Sequence, residues 1–368
     1  MKEERKRILT MVEEGKLSVD EALRLLDELQ KDQKNMEQKQ ADIINELSTA
    51  VQFEEAKKDD AAYAKYQSTK EKIFEFVDSA LKKIKELDLD LNFGQSVDIS
   101  HIFQHGNAEL NNIDIDLANG SVNVVAWDQP DVRVECQAKV YRVENQDQAR
   151  QNFLRDVTFA VEGGKLRFFT QQKWMKVEAV MFVPKVQYEK VRVRIFNGSV
   201  TGGKLNVADL RVKTGNGKIK LEHVIGNKAE VETANGKINL KHGQFDELEA
   251  ETINGAIKVD GDFKKVDTQS FNGNISVLLK GNRSEWVHAK TTTGPIELYV
   301  PEGTPVDGEL KTNLGGFHLN LVGVQILEEK SEMIQKSLRF QSVNHPDKML
   351  KIYADSKSGS ITVQKAFE

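Results

Sequence analysis

The sequence predicts a mainly β protein: a β-solenoid with coils of about 19 to 21 residues, preceded by an N-terminal α-helical hairpin and a helical linker. Two observations carry this. From Gly198 to Gly315 a glycine returns at intervals of 19, 19, 19, 18, 21 and 21 residues, and the residue two places beyond it is always apolar or aromatic. Before about residue 92 that pattern is absent, and apolar residues recur instead at helical spacing.

The elements can be justified in chain order. Over residues 1–32, Ile8, Met11 and Val12 share a helical face, Gly15 supplies a stop, and Ser18 with Glu21 makes a capping box. The second helix carries Ala22, Leu25, Leu26 and Leu29. A hairpin of this size buries too little apolar surface to balance its own ordering, so Ile8, Met11, Val12, Leu25, Leu26 and Leu29 are expected to form an assembly face. A long polar segment separates the hairpin from the repeats, so that face is expected to meet another molecule, most simply a second copy. Residues 33–92 read as a helical linker. Within it, residues 71–87 place Ile73, Phe74, Val77, Leu81 and Ile84 on one face beside Lys82, Lys83 and Lys85. Such a helix suits either the open end of a β domain or a membrane surface.

Residues 93–368 hold the repeat. With Gly198, Gly217, Gly236, Gly255, Gly273, Gly294 and Gly315 as position zero, and Gly120 and Gly359 as outlying members, position +2 holds Val200, Ile219, Ile238, Ile257, Ile275, Ile296 and Phe317. Position −3 of the six registers from Gly217 onward holds Thr214, Thr233, Thr252, Ser270, Thr291 and Thr312. An antiparallel hairpin asks only that facing residues be compatible, whereas stacked parallel coils set each column against itself. The self-similar columns therefore favour stacked coils. Asn216, Gly217, Asn235, Gly236, Asn254, Gly255, Asn272 and Gly273 then read as structural corners, where Gly and Asn accommodate positive φ. The threonine hydroxyls are placed to bond along the stack or to the corner backbone. The period breaks near 141–190, where "NQDQARQNFL" reads as a short helix or loop, and near 322–350.

The chemical inventory is thin. The sole cysteine, Cys136, lies on an alternating stretch and reads as buried, so neither a disulfide nor a thiolate metal cage can form. Of seven histidines only His101 and His105 have helical ligand spacing, with no third ligand nearby. No acidic residue or histidine is expected to recur at one register as in a calcium-binding repeat, and Lys218, Glu222, Lys237 and Lys241 read as solvated outward positions. No catalytic residue, cofactor or metal is assigned. Residues 1–90 carry 17 basic against 22 acidic side chains and the remainder 35 against 35, so the electrostatic term that drives nucleic-acid binding is missing. With neither a secretory signal nor a long apolar run, a cytoplasmic location is expected, with membrane or surface association by a non-standard route as the alternative.

The opening "MKEERKRILTMVEEGKLSVDEALRLLDEL", joined to an array of "NGxIxL" repeats, resembles the YvlB/LiaX-like proteins of Gram-positive bacteria. The resemblance spans nearly the whole chain and implies a SHOCT-like helical domain ahead of an adhesin-like β-repeat domain. It further implies a part in the response to cell-envelope stress, such as membrane-active antibiotics or cationic peptides, without catalysis. The expected function is thus a scaffold or sensor binding a protein or envelope component. The alternatives are a polysaccharide-active solenoid enzyme, with carboxylates of neighbouring coils meeting in a groove, and a peripheral membrane protein anchored by residues 71–87.

Overall fold

In the computed structural model, residues 2–14, 17–49, 95–332, 335–344 and 348–366 are described; the expected helix over 71–87 lies outside them. Helix α1 (Lys2–Glu13) and helix α2 (Val19–Thr49) form the hairpin. The capping box is present: Glu21 Oε2 accepts from the Ser18 amide at 2.8 Å, and the Glu21 amide donates to Ser18 Oγ at 3.4 Å. α2 runs uninterrupted across the boundary expected at residue 32, because the polar stretch after Leu29 still places Met36 and Ile43 on one face.

From residue 96 onward the chain is mainly strand, arranged in two parallel ladders that share most coils. In the first, strands Gln187–Asn197, Asn206–Asn216 and Ile225–Asn235 and the second halves of Ile238–Asn254 and Ile257–Asn272 pair in register. In the second, Val200–Gly203 and Ile219–Glu222 and the first halves of the last two pair likewise. The register is like on like: Thr214, Thr233, Thr252 and Ser270 are successive partners in the first ladder, and Ile219, Ile238, Ile257 and Ile275 in the second. The columns read from the sequence are therefore physical rows, and Ile219, Ile238 and Ile257 at +2, each no more than 1% exposed, join Leu221, Leu240 and Val259 two residues further on in a continuous core between the ladders.

At both ends the stacking order departs from the chain order. Strand Leu350–Ser356 inserts between Trp286–Thr293 and Val306–Thr312, pairing in parallel with both, and Ile361–Lys365 likewise lies between Ile296–Val300 and Phe317–Asn320. The register of Gly359 thus precedes that of Gly315 in the stack, a correction to the simple sequence order. The segment near 322–350 forms an antiparallel pair, Val324–Ser331 with Lys336–Ser342, and the latter strand covers the free edge of Val306–Thr312.

At the other end, strands Lys165–Thr170 and Met175–Pro184 stack outside Asn112–Trp127, which itself pairs directly with Gln187–Asn197. Antiparallel strands Val132–Tyr141 and Ser96–His105 finish that end. The insertion near 141–190 also supplies helix α3 (Gln146–Asp156), whose N-cap Asn145 accepts from the Gln148 amide at 2.9 Å and which buries Ala149 and Phe153. His101 and His105, whose spacing would suit ligands on a helix, both lie on strand Ser96–His105, where residues four apart are separated by about 13 Å. His101 packs instead against Phe103 and Phe153.

Candidate functional site

The repeated polar residues converge on one corner ridge. Each Asn there donates its side-chain amide to the Asn Oδ1 of the preceding coil: Asn197 to Asn119, Asn216 to Asn197, Asn235 to Asn216, Asn254 to Asn235 and Asn272 to Asn254, at 2.8–3.0 Å. Asn119 caps one end of the row on the Lys173 carbonyl, and Thr293 Oγ1 donates to Asn272 at the other. Within the corner, Thr214, Thr233, Thr252, Ser270 and Thr291 donate to the carbonyls of Gly198, Gly217, Gly236, Gly255 and Gly273, at 2.9–3.1 Å. Of the two fates expected for the hydroxyls, the bond to corner backbone is the one realised.

The reason for glycine differs from the expected one. Gly217, Gly236, Gly255 and Gly273 are not among the positive-φ residues. Successive corners instead approach so closely that a Cβ on Gly236 would lie 1.8 Å from the Gly217 carbonyl oxygen, with equivalent clashes at Gly217, Gly255 and Gly273. The asparagines likewise serve as ladder rungs rather than as left-handed turn residues.

Helix α2 runs along this ridge. Ile43 and Met36 of the helix pack on Phe196, Ala234, Ile253 and Phe271, the residues two places before corner glycines. Lys39 Nζ reaches Glu251 at 2.5 Å, and Glu28 meets Asn313 at 3.2 Å and Lys357 at 3.8 Å. A 31-residue helix is about 46 Å long, enough to span roughly nine coils at about 4.8 Å each. Of the residues expected to form an assembly face, Ile8, Leu25 and Leu29 are buried and Met11, Val12 and Leu26 half-buried, all in one cluster that includes Leu314 of the same chain. Among the described residues, the large apolar side chains the hairpin leaves exposed are Leu9, Val19 and Leu23.

Beside the ridge, the outer face of the first ladder is charged in rows. Arg192 binds Asp114 through two hydrogen bonds of 2.8 and 2.7 Å, Arg194 binds Asp116, and Lys213 binds Glu232 at 2.9 Å. Burial alone would raise the Asp114 pKa, but hydrogen bonds from Arg192 and Lys165 outweigh it and hold the carboxyl at about 2. Asp116 goes the other way, since its burial outweighs the attraction of Arg194. Glu230, Glu232, Glu249 and Glu251 lie on two neighbouring strands, and burial raises Glu232 and Glu249. Arg211, Lys213 and Lys39 pair with Glu230, Glu232 and Glu251, so three of these carboxylates are held in ion pairs on an open sheet face. Cys136 is buried, which pushes its thiol up to about 12, far from a nucleophile's range. Lys218 and Lys237 are exposed and Glu222 and Lys241 half-buried on the outer face of the second ladder. No described helix is long and apolar enough to cross a membrane.

Comparison with known proteins follows the same division of the chain. Residues 110–364 match the family described as Toastrack DUF4097, and residues 3–34 match a SHOCT-like domain. The uncharacterised protein YvlB of Bacillus subtilis (strain 168) is 44% identical over 368 residues, covering 99% of each chain. Among solved structures, a candidate lipid-binding protein from Parabacteroides distasonis aligns over 73% of this chain and 95% of its own, at 15% identity and a TM-score of 0.37. A candidate adhesin from Bacteroides fragilis aligns over 72% of this chain and 97% of its own, at 14% identity and a TM-score of 0.33. On the sequence matches, the chain belongs to the Toastrack DUF4097 family, as a YvlB-like member with a SHOCT-like domain ahead of its β repeats.

Proposed function

We propose that the protein is a non-enzymatic β-solenoid scaffold or sensor of the bacterial cell-envelope stress response, working in the cytoplasm or at the inner membrane surface by binding a protein or envelope component. The observation that carries this reading is how the repeated polar side chains are used. The asparagines of the ridge bond to one another and the threonines to corner carbonyls, so the recurring polar groups of this corner serve to hold coil to coil. What such an array offers to its surroundings is a sheet face with rows of charge, suited to a partner of complementary charge pattern. Self-association through the hairpin belongs to the same proposal, with Leu9, Val19 and Leu23 as the apolar groups left for a second copy.

The test is genetic. Deleting the gene in its host should change susceptibility to membrane-active antibiotics or cationic peptides several-fold. The wild-type gene should restore it, and a charge-reversed outer face should not: Arg211→Glu with Lys228→Glu, the latter two residues before Glu230 on the same strand and paired in register with Asp209 and Glu247. Unchanged susceptibility on deletion removes the stress role; full rescue by the reversed face removes the sheet as the binding surface. Light scattering at tens of micromolar decides self-association, a monomer ruling it out.

A further inference from the structure

At the corner opposite the asparagine ridge, the second ladder turns back through Lys204, His223 and His242, three successive rungs with φ of 57°, 53° and 51°. This left-handed conformation is the ordinary preserve of glycine and asparagine. Two consecutive coils nevertheless carry histidine here, six residues beyond Gly217 and Gly236. The two therefore recur at one register after all, contrary to the expectation from sequence. Their imidazoles stack, with centroids 4.7 Å apart and planes 18° from parallel. Glu222 precedes His223, and one ligand atom from each of Glu222, His223 and His242 lies within 4.8 Å of the others.

We propose that Glu222, His223 and His242 form a surface site for a late first-row divalent cation, with zinc the best match to their donors. Two imidazole nitrogens and a carboxylate are a zinc ligand set, whereas magnesium and calcium take oxygen donors throughout. The three side chains are 43%, 54% and 45% exposed, so an ion can enter and the rings can turn to bring their nitrogens to bonding distance. Beside His242 lies Asp260, only 17% exposed, whose Oδ1 is 3.9 Å from His242 Nδ1, beyond hydrogen-bond length but close enough for its charge to favour a bound cation. Lys280, 3.4 Å from the same Nδ1, is paired with Asp260 at 2.7 Å, so its charge is largely met before it reaches the site. Lys220, 3.8 Å from Glu222, is the competing cation that zinc displaces. A fourth position stays open to water. The site is independent of the scaffold reading, since it lies on the other ladder and uses none of its charged rows.

The experiment is calorimetric titration of zinc chloride into the full-length, tag-free protein and four variants. One zinc per chain is expected. His223→Asn and His242→Asn, which retain a residue suited to left-handed backbone, should each weaken binding by about tenfold or more, with circular dichroism unchanged. Asp260→Asn should weaken it less, and His105→Asn, exposed at the far end of the array, should bind as the wild type does. Absence of zinc uptake by the wild type at about 100 µM, or wild-type affinity in both His223→Asn and His242→Asn, overturns the proposal.

Discussion

Ile238 and its neighbour Lys237 test the register at a single position. Ile238 is 1% exposed with an isoleucine on either side, so Ile238→Ala should cost about 2–5 kcal/mol in urea unfolding. Lys237 is exposed, and its alanine variant should stay within about 0.5 kcal/mol of the parent. The glycines give a sharper test, because at Gly217, Gly236, Gly255 and Gly273 the reason for glycine is the approach of the preceding corner and not the sign of φ. Gly236→Ala, harmless if only backbone freedom mattered, should cost about 3 kcal/mol by overpacking against the Gly217 carbonyl. Gly316→Ala, with nothing within 4 Å of its Cβ, should be near neutral. Equal unfolding midpoints for the two would remove the close-approach account. The corners themselves were legible in the sequence, since Asn-Gly before an alternating strand marks a turn. Why they need glycine was not, because the clash is with a residue nineteen positions away.

Two elements are held by contacts that can be cut separately. Strand Asn112–Trp127 is tied to Gln187–Asn197 by Arg192 on Asp114, 78 positions apart in the chain. A carboxyl held at about 2, below its usual 3.8, contributes stability above about pH 4 and loses it as the pH falls toward 2, by about 2 kcal/mol in all. Asp114→Asn should therefore flatten thermal stability between pH 4 and pH 2 relative to the parent; parallel curves would deny the pair its role. Helix α2 rests on the ridge through Ile43. Ile43→Asp should speed tryptic cleavage at Lys34 and Lys39 and leave the ladders' strand signal intact, whereas unchanged cleavage would mean that the helix is held elsewhere. The sequence disclosed the hairpin and its cap but set the end of the helical domain at residue 32, since the stretch after Leu29 looks solvated until the apolar column of Ala234, Ile253 and Phe271 supplies a face for it. The spacing of His101 and His105 was ambiguous for a related reason. A spacing of four fits one face of a helix and one face of a strand, and only the pairing with Val132–Tyr141 decides between them.

At the scale of the whole molecule, identical columns made the array readable and its ends unreadable. Ile296, Ile361 and Phe317 satisfy the same register, so the sequence could not say which of the last two coils stands outermost. The antiparallel pair Val324–Ser331 and Lys336–Ser342 shields the outer coil, and an uncovered parallel edge is a template for pairing with other chains. Replacing residues 323–343 by a short Gly-Ser turn should leave the array folded but drive concentration-dependent association beyond that of the parent in light scattering; a variant that associates no more than the parent would show the edge to be protected by other means. The interleaved order also bears on synthesis. Residues 306–320 leave the ribosome before 350–365, yet their native neighbours are those later residues, so the place between them and Trp286–Thr293 must be kept vacant or reopened until the late segment arrives. Residues 350–365 act as a keystone: a nascent chain interrupted before residue 350 lacks the strands that pair on one side with Trp286–Thr293 and Ile296–Val300 and on the other with Val306–Thr312 and Phe317–Asn320, and is left with a gap inside its stack.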